Sequence, residues 1–245
     1  ALAIAEEMPL HITNDAMVLL KAAAAREQLR LKEILALLKG TDYKIIPVED
    51  YDFRMIAEYI LWLEMKLRRM EYADFIRANT PVIADTFELY LKKSLKINIS
   101  EYCSYDRNSG APKLRREKLD RSEKGREILE ILDSNSKQEG FKDSYISSIS
   151  MLWIICHYSK SETVSGHFAL LRSIEEAVRN TAAHEIVSIT PEVIANKTAE
   201  KGKRCSPDDI LAALRLGAEY CGLQSTRYKD SYIAMNGLIE EALAR

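Results

Sequence analysis

Residues 161–184 read Ser-Glu-Thr-Val-Ser-Gly-His-Phe-Ala-Leu-Leu-Arg-Ser-Ile-Glu-Glu-Ala-Val-Arg-Asn-Thr-Ala-Ala-His. Phe168, Leu171, Ile174, Ala177, Val178 and Ala182 recur at three-to-four spacing, the period of a helix with one apolar face. Ser161 or Thr163 supplies the start. At the far end the helix turns polar, and Arg179-Asn180-Thr181-Ala182-Ala183-His184 sets a fixed cation beside a group that titrates near neutrality.

The same period governs most of the chain. Residues 14–38 read as one helix, capped by Thr13 or Asn14 and stopped by Gly40. A second runs from about Tyr51 to Arg77 on the stripe Ile56, Ile60, Leu63, Leu67 and Met70. A third covers about Thr80 to Lys96, with Pro81 in its first turn. From Lys96 to Ser122 the period fails, and Tyr105 to Pro112 is turn chemistry, so this segment reads as an internal boundary or a mobile loop. Helix resumes at the cap Ser122 and lasts to Leu132. Residues 143–158 carry Tyr145, Ile146, Ile149, Leu152, Trp153 and Cys156, a broad apolar face expected in the core. Pro191 opens a short piece, and a basic turn follows over Lys197 to Arg204. Ser206-Pro207-Asp208-Asp209 is a cap, a first-turn proline and two acids on the helix dipole. A last helix spans about Tyr228 to Ala244. No alternating strand, internal repeat or low-complexity tract is visible, so the fold class is all-α, a multi-helix bundle with no sheet. Residues 1–100 form an N-terminal helical extension, and residues 101–245 a second region holding the motif and a basic loop at about 105–126.

Composition agrees. Nine Gly and six Pro in 245 residues are few breakers. A net charge of -2 gives no global attraction for nucleic acid, so such a partner must be held by a local patch. Cys103, Cys156, Cys205 and Cys221 form no Cys-x-x-Cys pair and read as reduced thiols of a cytoplasmic protein. The longest apolar runs, Tyr59 to Leu63 and Met151 to Cys156, are too short to span a bilayer. The chain opens Ala-Leu-Ala-Ile-Ala-Glu-Glu without an initiator Met, which suggests a fragment with something upstream removed. No Gly-rich phosphate loop, His-Glu-x-x-His, metal-type carboxylate cluster or serine nucleophile elbow is present, and no metal site is expected.

An Arg and a His five apart are a weak signal alone; Asn180 directly after Arg179, Ala183 directly before His184 and their place on the helix sharpen it. Arg-Asn-x-x-Ala-His late in an all-helical chain resembles the signature of HEPN ribonucleases. Within that group it is similar to the C-terminal half of the CARF–HEPN effector ribonucleases of type III-A CRISPR systems, the Csm family. The likeness is specific over about Ile174 to Ile186, and the opening residues resemble the point where such proteins leave their CARF sensor. The resemblance implies a HEPN-type bundle, single-stranded RNA as substrate, a homodimer with a composite active site and a role in antiviral defence. It also implies a cyclic oligoadenylate activator bound at a CARF domain that this chain lacks; no cofactor is expected here.

The chemistry fits these residue types independently. RNA carries an internal nucleophile, the 2′-OH, so a metal-independent endoribonuclease must align it, move protons and offset charge on the phosphorane. His184 suits the proton transfer and Arg179 the non-bridging oxygens, while Asn180 can orient the imidazole or bind phosphate. Products are a 2′,3′-cyclic phosphate and a 5′-OH. On a regular helix a five-residue step leaves two side chains ~140° apart and ~7.5 Å along the axis. Either the helix ends or bends at the motif, or two copies meet about a two-fold axis and pool their residues. The bland alternative pairs Arg179 with Glu175 and leaves His184 as a dipole partner at the helix end.

Lys113 to Arg126 holds seven basic and three acidic residues. Lys113, Arg115 and Arg116 are candidate RNA-phosphate contacts, against the alternative of a solvated loop. Lys201, Lys203 and Arg204, nearer the motif, are the other candidates. Tyr102 and Tyr105 can stack a base or simply pack. His157 reads as a buried, satisfied histidine, Trp62 and Trp153 as core, and His11 and His167 have no partner pattern. Two other classes of function are a catalytically silent helical dimerisation or protein-interaction module, and a DNA-binding regulator. The second would read DNA through Ser206 to Gly222, which offers only Arg215 as a long base.

Overall fold

A computed structural model describes residues 2–7, 12–106, 110–136, 140–184 and 189–245, with side chains described for all of these except residues 4, 5 and 179–184. The chain divides into two compact units, residues 1–65 with 223–245, and residues 66–222. The boundary expected between residues 100 and 101 lies inside the second of these.

The first unit holds α1 (Leu2–Glu7), α2 (Asn14–Glu27), α3 (Leu31–Leu37), α12 (Ser231–Leu243) and residues 51–65 of α4 (Tyr51–Arg68). The single helix expected over 14–38 is two. Leu29 adopts φ 55, and the amides of Leu29 and Arg30 bond back to the carbonyls of Arg26 and Ala25, a left-handed helix cap made without glycine. The second helix breaks in the same way. Met70 adopts φ 58 while Met70 and Glu71 donate to Leu67 and Lys66, so α4 ends at Arg68 rather than Arg77. Thr13 caps α2 through the Ala16 amide and donates its hydroxyl to the Ala242 carbonyl, tying the start of α2 to the end of α12. Leu19 and Ala22 of α2, Ile34 of α3, Ile45 and Met235 of α12 form a buried hydrophobic cluster.

Beside that cluster lies a buried ion pair. Arg26 presents Nε and Nη2 to the two carboxylate oxygens of Glu58 at 2.6 and 2.8 Å, with both side chains essentially sealed from solvent. Its remaining donors reach Ser231 Oγ at 2.7 Å and the Ser231 carbonyl at 3.3 Å, and Tyr232 stacks on the guanidinium at 4.2 Å. A buried pair gains stability only when every donor is matched, as here.

The second unit is built around α9 (Glu162–His184), which packs against α5 (Tyr72–Lys93), α8 (Ser148–Tyr158), α10 (Pro191–Glu200) and α11 (Pro207–Tyr220). Phe168 is fully buried and meets Phe87 edge-on at 4.9 Å and Tyr90 at 4.6 Å. Gly217 lets α11 approach closely, since a Cβ there would sit 3.0 Å from Leu171 and 3.3 Å from Thr86. Expected starts hold at Ser122, which caps α7 (Glu123–Asn135), at Pro191, and at Ser206, whose capping box with Asp209 is complete. Pro81 does not open a helix; it lies inside α5. Its missing amide leaves only the Arg77 carbonyl bare, and both residues sit on the exposed face where solvent can satisfy that oxygen.

The bundle is mostly helical, as expected, but the absence of a sheet is corrected. β1 (Cys103–Tyr105), β2 (Pro112–Leu114) and β3 (Ser144–Tyr145) form a small antiparallel sheet in the order β1-β2-β3. Strands of two or three residues are too short for an alternating pattern to register. A short helix α6 (Arg116–Leu119) follows β2.

Replacing Arg26 by Met leaves the Glu58 carboxylate buried without its cation and is expected to cost about 3–5 kcal/mol in urea unfolding. The double variant Arg26→Met with Glu58→Leu is expected to recover most of that loss. Equal instability of the single and double variants would mean that packing rather than charge pairing holds this site.

Candidate active site

The motif lies at the end of α9, which packs against four other helices of its unit. Phe168, Leu171, Ile174, Ala177 and Val178 are buried, and the α9 backbone continues helical from them through His184. Arg179, Asn180 and His184 therefore share one helix, while their side chains lie outside the described residues. An unbroken helical backbone keeps the angular offset of ~140° between positions five apart.

Just before the motif, Glu175 is buried. Its carboxylate accepts from the Ser148 hydroxyl at the first turn of α8 and from Arg172 at 3.3 Å. Both donors meet the same carboxylate oxygen, Oε2. The contact also fixes the start of α8 one turn from the motif.

The basic turn between α10 and α11 runs alongside. Ser173 on α9 donates to the Lys201 carbonyl at 2.8 Å, and Lys201 Nζ lies 2.6 Å from Glu176. From Ser173 to Arg179 is six residues, about 9 Å of helix. Thr198 holds the turn from within: its buried hydroxyl accepts the Cys205 amide at 2.8 Å and lies within 3.2 Å of the Ile194, Ala195 and Cys205 carbonyls. Arg204 is spread between Asn196 and Glu192 at 2.5 and 2.6 Å. Lys203, also exposed, helps hold the Asp209 carboxyl below its ordinary range, an effect led by the Ser206 hydrogen bonds.

The basic segment at 105–126 is folded as the β1–β2 hairpin and α6, and many of its charges are paired. Arg115 donates to Ser104 Oγ at 2.5 Å and to Asp143 at 2.9 Å. Arg116 grips both oxygens of Asp133 at 2.7 and 2.9 Å and reaches the Phe141 carbonyl. Lys118 donates to the Cys103 carbonyl. The hairpin arginines thus staple this segment to the ends of α7 and β3. Lys113 projects from the middle of β2, between Ser104 and Tyr145 in register.

Several smaller expectations change. His157 is exposed on the last turn of α8 rather than buried. Trp62 and Trp153 are half-buried rather than core. Tyr145, expected in the core, is 52% exposed, because residues 144–145 are strand and not the first turn of a helix. His167 is a structural histidine: buried, it donates Nε2–H to the Ala213 carbonyl at 2.9 Å, and burial lowers its pKa. Tyr105 is 66% exposed at the hairpin end. His11 lies outside the described residues. All four cysteines are free, Cys156 alone among them exposed. A cavity of about 480 Å³ opens between α7 and α8, lined by Glu127, Glu130, Trp153, Cys156 and His157 among others. Its carboxylates suit an anion poorly, and none of the candidate site residues lines it. No group of three or more potential metal ligands occurs among the described residues, and no described helix is long and apolar enough to cross a membrane.

A helical bundle whose central helix ends in Arg-Asn-x-x-Ala-His defines a HEPN-type domain. Residues 45–240 match the family described as the Cas_Csm6 HEPN domain, and the chain belongs to that family of CRISPR-associated HEPN nucleases. A search of curated proteins found no match.

The hairpin staples are sensitive to acid. The Asp133 carboxyl is held below its ordinary 3.8, first by the Arg116 side chain and then by the Phe141 amide. A carboxyl lowered on folding contributes stability that is complete above the unfolded value and lost as pH falls through the folded one. Asp133→Asn is therefore expected to lower the urea midpoint near neutrality, with the difference from wild type shrinking as pH drops below 3.8. A difference that persists at lower pH would assign the effect to packing.

Proposed function

We propose that this chain is the catalytic part of a metal-independent endoribonuclease that cuts single-stranded RNA. The observation that carries the proposal is the family match over residues 45–240, which encloses Arg179-Asn180-Thr181-Ala182-Ala183-His184 at the end of a buried helix. The 2′-oxygen attacks the adjacent phosphorus, the bond from phosphorus to the 5′-oxygen breaks, and the ends are a 2′,3′-cyclic phosphate and a 5′-OH. A proton leaves the 2′-OH and another reaches the 5′-oxygen. An imidazole, with a pKa of ~6.5, can serve either transfer near neutrality, and this is the role of His184. Arg179 offsets charge on the non-bridging oxygens, and Asn180 orients the imidazole or the phosphate.

One straight helix aims Arg179 and His184 in different directions, which favours a homodimer whose two α9 ends meet at a shared cleft. Lys201, Lys203 and Arg204 guide the RNA phosphates toward it, with Lys113, Arg115 and Arg116 as a more distant basic patch. Residues 101–245 form the catalytic core on this reading. In the whole protein an N-terminal CARF domain binds cyclic oligoadenylate and switches the site on, in the cytoplasm, during type III CRISPR antiviral defence. The core itself needs no cofactor.

Incubation of fluorescent single-stranded RNA and its 2′-deoxy counterpart with the protein in EDTA tests the chemistry. The RNA is expected to be cut and the deoxy strand to survive. His184→Ala is expected to lower the rate by about 10²–10⁴-fold. Cutting of the deoxy strand, loss of activity in EDTA, or an unchanged rate for His184→Ala would each remove this mechanism.

A further inference from the structure

The small sheet presents two unlike faces. Cys103 and Leu114, paired in register, are buried on one side. Ser104, Lys113 and Tyr145 are paired across the three strands on the other, in the order β1-β2-β3. Directly opposed residues in a sheet hold their Cβ atoms about 5 Å apart, so the Lys113 stem and the Tyr145 ring stand side by side. Tyr145 is 52% exposed. Arg115 lies two residues beyond Lys113, bonded to Ser104 on the same outer face. The acid facing this group is Asp143, which accepts from the Arg115 side chain and the Arg116 backbone amide. Among the described contacts, Lys113 and Arg115 stand against the single carboxylate of Asp143, in a chain whose net charge is -2.

We infer that this outer face is a base-stacking subsite for single-stranded RNA, with Tyr145 as the stacking surface and Lys113 as the phosphate contact beside it. The inference rests on the ribonuclease reading above and extends it to how the substrate is held. An exposed aromatic ring next to a lysine on a short-stranded sheet matches the demands of a single strand, which offers an unpaired π-face and a phosphate at every step. A duplex offers no free base face. The position also fits. Tyr145 precedes by three residues Ser148, whose hydroxyl bonds Glu175, and Glu175 lies one helical turn before Arg179. The sheet and the motif therefore lie at the same end of the α8–α9 hairpin, within reach of one short strand.

The test uses the chain of 245 residues and a short fluorescein-labelled 2′-O-methyl RNA strand, which has no free 2′-hydroxyl to react. Tyr145→Ala is expected to weaken binding of this strand about tenfold or more, and Tyr145→Phe to keep it, because stacking needs the ring and not the hydroxyl. Lys113→Ala is expected to reduce the steepness of the salt dependence by about one phosphate contact. The same sequence as a duplex is expected to be insensitive to Tyr145→Ala. With cleavable RNA, Tyr145→Ala raises KM and leaves kcat at saturation unchanged. Urea midpoints of the variants verify that each is folded.

Folded Tyr145→Ala that binds the strand as wild type does overturns the subsite and leaves the face to a protein contact. Equal weakening by Tyr145→Phe overturns the stacking role, and a wild-type chain that does not bind the strand overturns the whole inference. Failure here is separable from failure of the nuclease reading. RNA cutting with an unchanged KM in Tyr145→Ala sinks only the subsite. Tyr145-dependent binding without any cutting sinks only the catalysis.

Discussion

The second unit depends on the burial of one stripe of α9. Phe168, Leu171, Ile174 and Val178 are almost wholly removed from water, each worth about 1.5–3 kcal/mol relative to exposure, and the neighbours they meet come from α5, α8, α10 and α11. A helix enclosed on so many sides has little freedom to shift or rotate, because packed interiors do not deform continuously. Whatever lies on its final turns inherits that fixity. The motif sits there, with its backbone directed by contacts made from Phe168 up to Val178, the residue just before it. Glu175 adds direction to the packing, since its buried carboxylate demands the Ser148 hydroxyl and Arg172 and so fixes α8 in register with α9.

Charge is used structurally over most of the described surface near the motif. Arg115, Arg116, Lys201 and Arg204 each hold a carboxylate, and in doing so they shape the hairpin and the α10–α11 turn. Surface pairs of this kind add little stability one at a time, but they orient backbone. A nucleic acid approaching them competes with Asp or Glu for the same guanidinium or ammonium.

Where helices stop is the point at which a reading by residue type meets its limit. Gly40, which without a Cβ takes φ 84 freely, and the Ser-Pro-Asp-Asp start at Ser206 carry their signals in residue type, and both are visible in the chain. Leu29 and Met70 are not. Each is an ordinary helix former held at positive φ, a conformation that costs a side-chain-bearing residue about 1–2 kcal/mol. Hydrogen bonds from the following amides to the last helical carbonyls offset that strain, as does whatever apolar packing the redirected chain gains. Nothing in the identity of leucine or methionine announces such an arrangement. Arg26 and Glu58 are a similar case: thirty-two residues apart, they look like two surface charges until the first unit closes around them.

The helical class, most starts and caps, and the position of Arg179-Asn180-Thr181-Ala182-Ala183-His184 at the polar end of an apolar stripe followed from residue order alone, because period and capping are local properties. The family resemblance was equally legible, since it rests on a contiguous run. Only the tertiary structure decided that Tyr145 stands on an outer sheet face, that His157 is exposed while His167 is sealed against Ala213, and that Arg115 and Arg116 clasp acids seventeen to twenty-eight residues away. The physical reason is common to these cases. A strand of two residues, a buried ring or a paired guanidinium acquires its character from partners distant in sequence, and those partners meet only when the chain folds.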